Sequence, residues 1–502
     1  MQSFDVVVVG GGTAGCVLAA RLTQDRSVRV LLVEAGGDDR RPDVRTPAAW
    51  DTLLGSDADW AYETVVQPAT GQRYPAPRGK VLGGSGSINC MTYLRGHRLD
   101  YQDWADLGAT GWDYEGVLPY FKRAEDVPDG DPAFRGTGGP LHPRVMAPAG
   151  DFGRAFLDAA VAVGHPRTDD FNGAGMLGAG QSESLVFQDL RESTATAYLR
   201  PAMDRANLRV VTDALVLGLD VEGGRCTGIR FRHAGRTEQV SAGETILCAG
   251  AIGSPHLLLL SGIGPAEALT AAGVQVVAEL PGVGQGLQDH ILLAGIRYHA
   301  QRRFPSRGMG EGLTVLARTP GNDRGADLHL SAMGIDWFLP GQRPSPNAYT
   351  LGIGHMRPRS RGEIRLLSAD PTVAPAIDPG YLRERYDLDQ LIAGVQAMDE
   401  IVRTGAFSPW GGHSDTTALL DQDQDGLEAA VKAAVSTYSH LTGSCRMGTD
   451  EQAVVDPGLS VHGICGLRVA DASIMPTVVS CNTNAACVMI GEKAADLVLA
   501  AR

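Results

Sequence analysis

The sequence predicts an α/β chain, more fully α+β, of two domains, and three observations carry that expectation. At 502 residues it exceeds what a single hydrophobic core supports. It opens on a strand, a glycine turn, a helix and a second strand. Its 64 glycines gather in short motifs along the whole chain, a distribution suited to a backbone that approaches a ligand at several separate places.

Residues 5–9, DVVVV, are an uninterrupted β-branched run that fits a strand buried on both faces of a parallel sheet. Gly10, Gly12 and Gly15 follow as GxGxxG. The first permits the tight turn, the second lets a pyrophosphate approach the backbone, and the third lets helix and strand pack closely. Val17, Leu18, Arg21 and Leu22 continue at helical spacing, and the helix N-terminus adds amide donors and positive potential for phosphates. The next strand, VRVLLV, ends at Glu34, 19 residues after Gly15, where a carboxylate can accept hydrogen bonds from a ribose diol. This is a Rossmann-like nucleotide site. FAD and NAD both carry the ADP half it holds, so the motif alone leaves the two open.

Farther along, RGKVLGGSGSIN (78–89) sets Gly83, Gly84 and Gly86 beside Ser85 and Ser87, a loop suited to wrapping a flat or anionic ligand. LRVVTDALVLGLDVEGGRCTGIRFR (208–232) reads as strands joined by a Gly-Gly hairpin turn, and ETILCAG (244–250) as a buried strand. GAIGSPHLLLLSGIG (250–264) reads as a turn opening an apolar helix, and residues 485–500 as a closing helix. The stretch 297–437 is irregular and rich in Pro and Arg, as variable substrate-binding loops are.

Lys and Arg number 44 against 58 Asp and Glu, a formal charge of -14, with no basic run to track a phosphate backbone. No nucleic-acid partner is expected. The N-terminus lacks a positive n-region and enters a strand at once, so no signal peptide is expected, and no apolar stretch approaches the ~18 residues of a membrane span. The eight cysteines are scattered, without CxxC or a Cys/His pair at zinc-ligand spacing. The expectation is a reduced, cytoplasmic chain without a structural metal.

Taken in order, GGGTAG with EAG, GKVLGGSGSIN, GAIGSPHLLLLSGIG, PGVGQGLQDH, RPRSRGEIRL with IDPGYL, HLTGSCRMG, and GLRVADASIMP with NTNAACVMIGEKAADL run the length of the chain. In these motifs the sequence resembles the glucose-methanol-choline (GMC) family of flavin oxidoreductases, and within it the branch of choline dehydrogenases, hydroxymethylfurfural oxidases and pyridoxine oxidases. The resemblance implies FAD, held by a Rossmann-like domain built from residues 1–145, 186–296 and 438–502. An antiparallel-sheet substrate domain of residues 146–185 and 297–437 would roof it. The cofactor residues it implies are Gly10, Gly12, Thr13, Ala14, Gly15, Glu34, Ala35, Gly83, Gly84, Ser85, Asn89, Val216, Ala249, Gly250, Asp471, Ala472 and Ala485.

Three positions depart from the family. Ile88 stands where some members carry a histidine joined to the flavin, so the FAD is expected to be non-covalent. Leu441 and Ala486 stand where proline is common, which removes two constraints on φ.

The resemblance also implies the chemistry. Oxidising an alcohol through flavin sends a hydride to N5 and a proton from oxygen to a base, with a neutral donor holding the oxygen as charge develops. His440 is the implied base and Asn484 the implied donor, although Asn484 also suits the cap of the closing helix. His290 and His462 read as structural, and His97, His329 and His355 have no evident partner. Arg302, Arg303 and Arg307 read as a solvated loop rather than an anion site. The expected activity is oxidation of a small primary alcohol, aromatic or heteroaromatic in keeping with the chain's length, with oxygen or another compound as electron acceptor. Two alternatives stay open: a non-redox hydroxynitrile lyase on the same scaffold, and an NAD-dependent dehydrogenase.

Overall fold

The computed structural model describes residues 2–302, 311–338 and 342–502. The opening valines form the strand Gln2–Val9, and Val6 to Val9 are wholly buried because the strand is central in a seven-stranded sheet. Val30–Val33 pairs with it in parallel on one side and Arg236–Leu247 on the other; Leu208–Val211 extends the sheet beyond Val30–Val33. Leu467–Val469, far away in sequence, joins Arg236–Leu247 in parallel. Ala214–Glu222 and Arg225–His233 complete the sheet as an antiparallel meander. Their hairpin turns on Gly223 and Gly224, both at positive φ, the conformation a two-residue turn of this kind requires.

Helices Thr13–Leu22 and Asn484–Ala500 lie side by side over this sheet. Gly491 makes the approach possible, since a Cβ there would stand 2.8 Å from the Ala14 carbonyl oxygen. Glu492, fully buried, ties the pair together by accepting from Arg21, Arg123 and Tyr198.

The second sheet has eight strands, paired antiparallel throughout. Helices Asp151–Ala162 and Arg385–Val402 pack on it through Phe152, Phe156, Leu391 and Val395 against Leu330, Leu351 and Ile353. Ile291–Leu293 already belongs to this sheet, pairing with both Ala348–His355 and Val435–Thr437. Gly178–Gln181 is the first strand of this sheet in chain order, and Ile291–Leu293 is the next. Among the described residues no helix is long and apolar enough to cross a membrane.

Candidate active site

The two glycine motifs meet at the end of the central strand. Gly10, at φ +101°, turns the chain from strand to helix, and a Cβ there would stand 2.5 Å from the Cys248 carbonyl oxygen. Gly83 donates its amide to the Gly11 carbonyl at 2.7 Å, and Gly84 comes so near Gly12 that a Cβ would lie 2.7 Å from the Gly12 α-carbon. Gly12, Thr13, Ala14 and Gly15 form the entry and first turn of helix Thr13–Leu22. Glu34 closes this cradle, followed by Ala35, and accepts the amides of Gly11 and Gly36 at 2.7 Å each. Burial pushes its carboxyl up to about 7.

Ser85 accepts the Gly79 amide, and Asn89 Oδ1 accepts the Met91 amide and the Arg191 guanidinium, both at 3.0 Å. Val216 is buried on the meander, and Ala249 and Gly250 open helix Gly250–Leu260. Asp471 braces that opening: Oδ2 accepts the Gly250 amide and the Ser254 hydroxyl, and Oδ1 the amide and hydroxyl of Ser473. Ala472 follows it, and Ala485 is buried in the first turn of the closing helix.

This cradle fits FAD. Thr194 Oγ1, Arg191 Nη2 and Arg78 Nη2 are buried donors without a protein partner, a surplus that a polar ring system and its phosphates would satisfy. Ile88 packs with Val44, Leu53, Ala58 and Val81, an apolar setting with no nucleophile. The expectation of no metal meets one cluster of donors, His299, His413 and Asp415. The Arg297 amide, 2.9 Å from Asp415 Oδ2, and His299 Nε2, 2.9 Å from Oδ1, already serve that carboxylate.

His440 sits on the loop after Val435–Thr437, a strand of the second sheet. Ser439 precedes it at φ +62°, and Asp289 holds the loop in this conformation. Asp289 Oδ1 accepts the His440 amide at 2.6 Å, while Oδ2 accepts the Thr437 and Tyr381 hydroxyls. The constraint that proline would supply after His440 comes here from a carboxylate.

The imidazole of His440 has a defined tautomer. The Met356 carbonyl can only accept, so the His290 Nε2 that lies 3.1 Å from it carries the hydrogen. His290 is buried, and desolvation holds its pKa well below the usual histidine value, so it is neutral and its Nδ1 must accept. Its partner at 2.9 Å is His440 Nδ1, which therefore donates. That leaves a lone pair on His440 Nε2, facing the Asn482 amide nitrogen at 3.2 Å. Burial, then the charge of Arg78, then His329 lower the His440 pKa to about 3, so the ring is neutral throughout the working pH range.

Asn484 does not take the place expected of it. Its Oδ1 accepts the Thr13 hydroxyl at 2.9 Å, which puts it at the nucleotide cradle, and Asn482 instead stands beside His440. The physical reason is local: Asn484 is the first residue of helix Asn484–Ala500 and lies against the Thr13 turn, while Asn482 lies in the loop before it. Asn484 is not the helix cap either, since Thr483 occupies that position without a side-chain cap bond.

His290 and His329 both belong to the site, His329 through its Nδ1, 3.0 Å from the Tyr438 hydroxyl. His97 caps helix Arg98–Asp106, His355 bonds Asp387, and His462 reaches the Gly448 carbonyl. Arg302 is exposed; Arg303 and Arg307 lie outside the described residues. The Asp-His pair inside PGVGQGLQDH was the available signal for His290. For His329 the sequence offers none.

The GMC oxidoreductase profiles match residues 4–292 and 358–491. The chain is 39% identical to human mitochondrial choline dehydrogenase, over 99% of its own length and 90% of the relative's. It is also 39% identical to the oxygen-dependent choline dehydrogenase of Pseudomonas fluorescens, over 99% and 93%. Among solved structures, pyridoxine 4-oxidase from Mesorbium loti superposes with a TM-score of 0.94 at 33% identity, covering 98% of each chain. A formate oxidase superposes at 0.90 with 26% identity, covering 100% of this chain and 99% of that one. With that sequence match over most of its length, and with a nucleotide cradle and a neutral imidazole brought to one place, the chain belongs to the GMC oxidoreductase family and is an FAD-dependent alcohol oxidoreductase.

Proposed function

We propose that this enzyme oxidises a primary alcohol to its aldehyde, with His440 Nε2 taking the hydroxyl proton and the Asn482 amide holding the oxygen as negative charge develops on it. The observation that carries this reading is the lone pair on His440 Nε2, fixed by the chain from Met356 through His290 and met by an amide donor at 3.2 Å. An alcohol oxygen inserted between the two side chains donates its hydrogen to the imidazole and accepts from the amide. The glycine cradle would hold FAD without a covalent link, since Ile88 offers no nucleophile, and the flavin would supply the hydride acceptor.

The imidazole is a weak base in this dry setting, and the developing alkoxide beside it is what makes proton uptake favourable. Oxygen as the electron acceptor is supported by relatives named oxygen-dependent choline dehydrogenase and by the pyridoxine 4-oxidase neighbour. All eight cysteines are free thiols, which supports a cytoplasmic setting.

The test is anaerobic stopped-flow reduction of the holoenzyme with benzyl alcohol. His440→Ala should keep its flavin and slow reduction by about two to four orders of magnitude. An unchanged rate in flavin-replete variant would refute the role of His440. An alcohol that is cleaved while the flavin stays oxidised would point to the lyase instead. Acid treatment of the same holoenzyme should release all the flavin to the supernatant, and yellow pellet would contradict the non-covalent link.

A further inference from the structure

His329 carries an unspent hydrogen bond. It lies on strand Leu328–Met333 of the second sheet, is only 6% exposed, and its Nε2 has no partner. Its Nδ1 is 3.0 Å from the hydroxyl of Tyr438, and the Tyr438 ring in turn stacks on His440 with centroids 4.9 Å apart. The two histidines therefore flank one tyrosine at the same site. Burial holds the tyrosine phenol protonated and His329 neutral, at about 4. The phenol is the stronger acid of the two, so it donates to Nδ1 and leaves the hydrogen on Nε2. A buried N–H without an acceptor is costly, and the cost disappears when a ligand supplies one.

The charges around His440 restrict that ligand further. His290, His329, Tyr438 and Asn482 are uncharged there. Arg78 brings a cation, its Nη1 3.1 Å from the Ser439 carbonyl and its Nη2 buried without a partner. The nearby carboxylate, Asp289, is committed to the His440 amide and to the hydroxyls of Thr437 and Tyr381. A desolvated ammonium group entering here would meet the Arg78 guanidinium, while the Asp289 carboxylate is already taken up by its own partners.

We infer that the site beside His440 takes an uncharged alcohol bearing a hydrogen-bond-accepting heteroatom, such as a ring nitrogen or oxygen, which His329 Nε2–H recognises. A quaternary ammonium alcohol such as choline is a poor substrate, although choline dehydrogenases are among the relatives. This inference rests on the alcohol-oxidation reading above.

The experiment compares the three pyridinemethanol isomers with benzyl alcohol and choline, on flavin-replete enzyme at pH 8, where the pyridines are neutral. At least one pyridinemethanol should surpass benzyl alcohol in kcat/KM, with choline at least a hundredfold below it. His329→Leu should cut kcat/KM for that pyridinemethanol, chiefly through KM, by about ten- to a hundredfold more than it cuts kcat/KM for benzyl alcohol. His329→Gln, which keeps an N–H donor, should recover part of the loss. Choline as the best of the three, or an equal loss on both aromatic alcohols in His329→Leu, would overturn the inference. If no alcohol reduces the flavin, the reaction assigned above fails. The inference then stands or falls separately on Kd values, read from the flavin spectrum, for the same pyridinemethanols, benzyl alcohol and choline.

Discussion

Removing the acceptor that fixes the His440 tautomer should impair the reaction without touching the base itself. In His290→Leu the His440 Nδ1–H loses its only acceptor, now 2.9 Å away. The ring can then move its hydrogen to Nε2, and the Asn482 amide, whose Nδ2 faces Nε2 in the native arrangement, can turn over to present its unpaired Oδ1 as the acceptor. That alternative has no lone pair where the alcohol needs one. Losing one partner of a buried hydrogen bond costs about 1–3 kcal/mol, and at 1.36 kcal/mol per decade the productive tautomer falls by about 5- to 150-fold. Anaerobic flavin reduction at saturating alcohol should slow by that factor with KM little changed. His290→Gln is the control, since its amide can donate to the Met356 carbonyl and accept from His440, and it should restore most of the rate. Flavin-replete His290→Leu reducing at the native rate would refute the tautomer argument, and so would a loss that Gln fails to rescue while folding normally.

Two further outcomes follow from the same geometry. Asn482→Ala should slow flavin reduction by about ten- to a thousandfold with flavin retained, whereas Asn484→Ala, at the Thr13 hydroxyl, should weaken FAD binding and leave the reduction rate of the loaded enzyme intact; the opposite pattern in stopped flow and flavin titration would return the catalytic role to Asn484. His256, on helix Gly250–Leu260 and away from the catalytic side chains, is held neutral by burial at about 4 against an ordinary 6.5, and its Nε2 has no partner. A depressed pKa of this kind lets only the unfolded chain bind the proton between those values. Its share of stability is therefore intact above pH 6.5 and is lost progressively on acidification toward pH 4. At pH 5 the loss is about 2 kcal/mol, so His256→Leu should gain about that much over wild type between pH 8 and pH 5 in urea unfolding, and an equal offset at both pH values would contradict it.

The nucleotide half of this protein was legible in the chain because each of its parts is local. A β-branched run, three glycines at set spacing and a second apolar run specify strand, turn, helix and strand within 33 residues, and the structure assembles them as Gln2–Val9, Thr13–Leu22 and Val30–Val33. The Gly-Gly hairpin was legible for the same reason, since two residues at positive φ announce themselves. His440 stood out only through the family motif around it, as does the non-covalent flavin expected from Ile88.

What the chain could not disclose is which side chains converge from distant segments. Asn482 and Asn484 are two residues apart and chemically identical, so only the start of the closing helix decides that one meets His440 and the other Thr13. His290 lies 150 positions before His440 and His329 lies 111 before it; strand pairing between Ile291–Leu293, Ala348–His355 and Val435–Thr437 brings them together. A histidine's tautomer depends on what its far nitrogen touches, and that contact exists only in the folded chain. Sequence therefore announced the glycine turns and the family that implies FAD, while tertiary structure decided which side chains meet His440 and which of its ring nitrogens carries the hydrogen.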